Sequence, residues 1–168
     1  MKKILLVALA LLVLTMSVAA AEGEIKIGQV QYAAHGTKCF AVMTVAMQGD
    51  VIADAYIDEY QFMAAGSIGV PNSESDFGTA YPEGTVLASK KVNADSSSEN
   101  MKKAGSTVHL ADTYAAIEAF VIGKTVAELE AEVAGKDAAA MVDAVSGSTL
   151  VDTLGYVNGL IEAAKAAK

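Results

Sequence analysis

The sequence predicts an α+β fold: an antiparallel sheet built on a hairpin and packed with C-terminal helices, all in a single domain. Two patterns carry this reading. Between residues 25 and 63 apolar side chains alternate with polar ones, the period of strands. Beyond residue 107 they recur every three or four positions, the period of helices. Size agrees, because about 147 residues remain after a predicted leader, enough for one core.

The elements follow in order. Ile25, Ile27 and Val30 to Tyr32 form a first extended stretch. Cys39 to Met47 is rich in β-formers, Gln48-Gly49-Asp50 makes a turn, and Val51 to Phe62 returns as the second arm of a hairpin. In that arm Asp54, Tyr56, Asp58 and Tyr60 share one face, read as a wet surface. Residues 64–106 are broken by Gly66, Gly69, Pro71, Gly78, Pro82 and Gly84, with one short strand from Thr85 to Ser89. The serine run from Asp95 to Glu99 reads as a loop, and so long an irregular segment is often functional. Tyr114, Ile117 and Val121 then form one helical stripe. Thr125-Val126-Ala127-Glu128 is a capping box opening a helix with Val126, Leu129 and Val133 inward, ended by Gly135. A short helix covers Ala138 to Val142. The last runs from about Leu150 to Ala167, with Leu150, Leu154, Val157, Ile161 and Ala164 as its apolar stripe.

Residues 1–21 have the pattern of a secretory signal peptide, leaving 22–168 as the domain. Lys2 and Lys3 precede an apolar run from Ile4 to Met16, and small residues Val18 to Ala21 close it ahead of polar Glu22. Val18 with Ala20, or Ala19 with Ala21, offers the spaced small pair that signal peptidase accepts. The expected address is extracytoplasmic, in the periplasm or at the cell surface. The rival is an uncleaved anchor, since the apolar stretch approaches the length of a bilayer span.

The chain has 12 lysines, no arginine and 20 acids, for a net charge of −8, which loss of Lys2 and Lys3 takes to −10. So acidic a surface repels phosphate backbones, and nucleic acid is excluded as a partner. Without arginine there is no bidentate clamp, so a bound phosphate must rest on backbone amides, lysine or a covalent bond. Cys39 is the sole cysteine, so the fold has no internal disulfide. It reads as a small buried residue at a strand start.

The segment with most chemical content is Asp143-Ala144-Val145-Ser146-Gly147-Ser148-Thr149. An acid leads into a small-residue loop that delivers a hydroxyl to the start of an amphipathic helix. Thr149 and Asp152 fit the cap and N3 positions of that helix, whose first amides are unsatisfied donors suited to a phosphate. Gly147 would let a bulky group approach the backbone. Gly105-Ser106-Thr107 echoes Gly147-Ser148-Thr149, and each is followed by an Asp-Thr pair; the two read as similar helix starts.

Asp143-x-x-Ser146-Gly147-x-Thr149 resembles the flavin-attachment motif of the FMN-binding domain family. Members serve as flavin-carrying subunits of sodium-pumping and related redox complexes, and as exported flavoproteins of extracellular electron transfer. The resemblance implies an electron carrier rather than an enzyme. It also implies that a flavin transferase, with FAD as donor, places FMN on Thr149 through a phosphoester. Asp143, Ser146 and Gly147 would be recognition and loop residues. Ser148 stands where the family usually has alanine; its hydroxyl could cap the helix or compete as acceptor. The redox partner would lie at the membrane. The other reading is an extracytoplasmic binding module of the same fold without covalent flavin.

Other patterns carry less. Gly123-Lys124-Thr125 imitates the end of a phosphate-binding loop, but Glu118 stands where that loop needs glycine. No G-x-S-x-G element occurs. Asp58 and Glu59 are adjacent on a strand and point to opposite faces, so they are no catalytic pair. His35 and His109 have no ligand-type spacing with each other and read as satisfied or solvated histidines, though either could join an acid at a metal.

Overall fold

A computed structural model of the chain describes residues 23–36, 38–72, 83–103 and 105–168. The predicted leader, residues 1–21, lies outside them. Four strands, β1 (Ile25–Tyr32), β2 (Cys39–Gln48), β3 (Val51–Ala64) and β4 (Thr85–Ser89), form one antiparallel sheet in the order β1-β2-β3-β4. Helices follow among the described residues: α1 (Ala94–Lys103), α2 (Leu110–Val121), α3 (Val126–Val133), α4 (Ala138–Ala144) and α5 (Thr153–Lys165). The α+β class is thus observed.

The hairpin turn is the expected one, with Gln48 paired to Val51 around Gly49-Asp50 and Gly49 at φ 60°. Alternation decides which face each strand buries. In β2, Ala41, Met43, Val45 and Met47 point inward. In β3 the register slips between Ala46 and Met47, so Asp54 and Ile52 pair with neighbouring residues and Ala53 is extra. The bulge lets Ile52 and Ala55 both face the core. Beyond it the inward positions are Ala55, Ile57 and Glu59.

The helices supply the second layer. α5 lies across β1 and β2, and α2 packs on β3. Val121, Leu129, Met141, Val157 and Leu160 close one core with the inner face of the sheet. α5 sits close to the sheet because of glycine. A Cβ on Gly28 would fall 1.9 Å from the Ala163 carbonyl oxygen, and one on Gly155 would fall 2.4 Å from that of Ala34. Below its pairing with β4, the outer edge of β3 is met by Gly123 and Lys124, which exchange backbone hydrogen bonds with Ile52, and by α2. The Glu118 carboxylate accepts the Ile57 amide at 2.7 Å and the Lys91 ammonium at 2.9 Å.

Three expectations are corrected. The serine run is helical, because α1 takes in Asp95 to Glu99. Its charges suit the helix dipole, with Asp95 in the first turn and Lys102 and Lys103 in the last. One of its serines bonds on both sides: Ser98 Oγ donates to the Ala94 carbonyl at 2.6 Å and accepts the Leu110 amide at 2.9 Å. Ser97 and Ser98 are buried. Second, Asp58 is not on a wet surface: it is buried and accepts from Ser89 Oγ at 2.7 Å, while Asp54 and Tyr56 on the same face stay exposed. Third, the last helix begins at Thr153 with Asp152 as a cap lacking a side-chain bond, so Thr149 and Asp152 are not its cap and N3. The capping box at α3 forms as read, with Thr125 Oγ1 accepting the Glu128 amide and the Glu128 carboxylate accepting the Thr125 amide.

Among the described residues no helix is long and apolar enough to cross a membrane.

Candidate functional site

A cleft of about 420 Å³ opens where the end of β3, the face of α1 and the start of α5 converge. That lies within the size of small-molecule sites, roughly 300–1,000 Å³. Phe62, Met63, Met101, Leu110 and Leu150 give it apolar walls, and His35, Lys90, Asn100 and Tyr156 bring polar atoms. It therefore gathers residues from the first strand connection, the sheet, the serine helix and the segment before α5.

The motif loop borders this cleft through Leu150, and the structure separates its two hydroxyls. Ser148 is buried and its Oγ lies 2.6 Å from Thr153 Oγ1, which itself donates to the Leu150 carbonyl at 2.6 Å. These bonds fold 148–153 into a turn ahead of α5, which is why the helix starts late. Thr149 is half-buried, and its Oγ1 lies 3.0 Å from Ser106 Oγ. The two echoing Gly-Ser-Thr loops thus meet side by side, joined through these hydroxyls, rather than serving as separate helix starts. Ser146 and Gly147 are exposed, Gly147 at φ 92°, the left-handed region that favours glycine. Asp143 is exposed in the last turn of α4, where an acid opposes the helix dipole and adds nothing to helix stability.

A second set of groups stands at the opposite wall. Gly155 lets Ala34 pack against α5, and this sets the next residue, His35, beside Asp152, with Nε2 3.8 Å from Oδ2. On its other side the His35 ring meets Cys39, Nδ1 to Sγ 3.2 Å, and accepts from Lys90 Nζ at 3.3 Å. Lys90 also forms an ion pair with the fully buried Glu59. Glu59 Oε2 is 3.4 Å from the Tyr114 hydroxyl, which lies 3.4 Å from that of Tyr156. Burial, followed by the Glu59 charge, raises the Cys39 thiol to about 11, so it is a neutral thiol at physiological pH. Burial also pushes the Tyr114 and Tyr156 hydroxyls well above the usual tyrosine range. Glu59 adds to both, and Tyr114 is the larger neighbour effect on Tyr156.

Sequence reasoning passed over this second set. His35 and Cys39 are four apart, and Ala41, two residues beyond Cys39, pairs directly with Glu59, so Cys39 and Glu59 are diagonal neighbours on one face. That relation follows only once the hairpin register is known. Cys39 itself is half-buried at the first residue of β2, close to its reading.

Comparison with known proteins finds no match to a family model, to a curated sequence or to a solved structure.

Proposed function

We propose that this protein is an exported carrier of covalently attached FMN, with Thr149 as the attachment point and the adjoining cleft as the seat of the flavin ring. The observation that carries the reading is the contrast between the two hydroxyls. Ser148 is buried and committed to Thr153, whereas Thr149 is half-buried and, among the described residues, its hydroxyl meets another hydroxyl, that of Ser106. Thr149 is therefore the one of the two that can react without dismantling the turn before α5.

In the transfer, Thr149 Oγ would attack the FMN phosphorus of FAD. The threonine proton leaves, a Thr–O–P bond forms, the phosphoanhydride bond breaks and AMP departs, with catalysis supplied by a separate transferase. Exposed Gly147 and Ser146 leave that enzyme room to reach the backbone, and exposed Asp143 offers it a recognition charge. A chain without arginine has no guanidinium clamp for a phosphate, which makes a covalent tether useful outside the cell. The apolar wall of Phe62, Met63, Met101 and Leu150 suits a flat aromatic ring. A flavin there would supply one- and two-electron transfer.

The test is co-expression with a flavin transferase and FAD, followed by intact mass. The expected result is a gain of one FMN less water that Thr149→Ala abolishes. An unchanged mass with an active transferase removes the covalent reading. Tight flavin without a mass gain would instead leave the cleft as the site of a binding module.

A further inference from the structure

We infer that His35, Cys39 and Glu59 form a binding site for a borderline-soft divalent cation of the zinc class. Each offers one donor atom, and the three atoms lie within 4.8 Å of one another. Imidazole, thiol and carboxylate together are a zinc-type donor set, since magnesium and calcium favour oxygen alone. Tetrahedral zinc, with bonds of roughly 2.0–2.3 Å, separates nitrogen and sulfur donors by about 3.5 Å. His35 Nδ1 and Cys39 Sγ stand at 3.2 Å, close to that spacing.

Three further observations point the same way. Glu59 Oε1 is buried and has no hydrogen-bond partner among the described residues, an expensive state for a carboxylate oxygen and one that coordination would relieve. The outward nitrogen of His35 faces the Asp152 carboxylate, the arrangement by which a second carboxylate orients a metal-bound imidazole. Finally, a cation already occupies these donors: the Lys90 ammonium contacts both the Glu59 carboxylate and His35 Nδ1. Lys90 is the competitor a metal would displace. Its side chain is 14% exposed, against 0% for Glu59, so it has a path outward.

Charge balances in the exchange. Without metal, Glu59 and Lys90 cancel. On binding, Cys39 releases its thiol proton to solvent and Lys90 swings out. The dication then cancels the thiolate and the carboxylate, with neutral His35 as third ligand. This inference does not need a flavin on Thr149, although His35 and Lys90 also line the cleft proposed for the flavin ring.

The test is titration of the purified protein with Co²⁺, then competition with Zn²⁺. One equivalent of cobalt should produce a thiolate-to-metal charge-transfer band that zinc bleaches. Cys39→Ser should abolish the band, and His35→Ala should weaken binding at least about tenfold. Lys90→Met should bind more tightly than the parent, and saturating zinc should raise its melting temperature more than the parent's. A merely structural role for the cluster would not produce that increase. Absence of the band in folded parent protein overturns the proposal, and so does a band that survives Cys39→Ser. Should Lys90→Met fail to fold, the Cys39 and His35 variants, at partly exposed positions, still decide the matter.

Discussion

Replacing Lys90 with methionine tests the buried charge pair beside the cleft. Glu59 is wholly inaccessible, and one of its oxygens has no partner among the described residues. Without the Lys90 ammonium no cation is left on the carboxylate among the described residues, and the neutral Tyr114 hydroxyl at 3.4 Å is a weak replacement. Removing one member of a buried pair costs about 3–5 kcal/mol, because the remaining charge stays in low dielectric. For a domain stable by roughly 5–15 kcal/mol that is a large fraction. With a urea slope of about 1–3 kcal/mol per molar, the unfolding midpoint should fall by at least about 1 M. Urea denaturation in the presence of a chelator measures this. Glu59→Gln should cost less, roughly 1–3 kcal/mol, because Lys90 can turn toward water. The double variant should lose less than the sum of the two by about 0.5–3 kcal/mol, the coupling expected of groups in contact. A Lys90→Met loss under about 0.5 kcal/mol, or strict additivity, would mean that the pair is solvated rather than buried.

Other consequences are checked as directly. Leu160→Ala, at a fully buried position of α5, should cost about 2–5 kcal/mol by urea denaturation, and half-buried Leu154→Ala clearly less. Ser148→Ala should cost about 1 kcal/mol through the lost contact with Thr153, whereas Thr149→Ala should be close to neutral in stability; equal losses would undo the distinction between the two hydroxyls. The Cys39 thiol, held up to about 11 against an ordinary 9.0, keeps its proton in the folded state after the unfolded chain has lost its own. That contribution is present below pH 9 and fades as pH rises from 9 to 11. Stability should therefore fall across that window in the parent and less so in Cys39→Ala.

Much of the fold could be read in the residues because local rules agreed with tertiary demands. The β2–β3 hairpin follows from alternation and a glycine turn, and α3 from its capping box. Where a segment's local chemistry allows two outcomes, packing decided. The serines at 96–98 suit a loop in isolation, yet become helical where Ser98 bridges the Ala94 carbonyl and the Leu110 amide. The start of α5 moved to Thr153 because the Ser148, Leu150 and Thr153 oxygens close a turn that no propensity encodes. Glu59 was hidden for a different reason. A charged residue beside Asp58 looks like part of a polar stretch, and only the lysine brought from the end of β4 makes its burial tolerable. The motif from Asp143 to Thr149 was visible in the sequence. That its threonine would meet Ser106 across the molecule was not, since the pairing depends on how α2 and α5 pack.

Attachment of FMN at Thr149 is tested most directly by mapping the flavin. Trypsin cuts after Lys136 and Lys165 with no intervening lysine or arginine, so one peptide, 137–165, carries Asp143, Ser146, Ser148 and Thr149 together. Fragmentation of that peptide, from protein co-expressed with a flavin transferase and FAD, should place one FMN phosphoester on Thr149 and leave Ser148 free. An FMN on Ser148, or an unmodified peptide despite an active transferase, would contradict it.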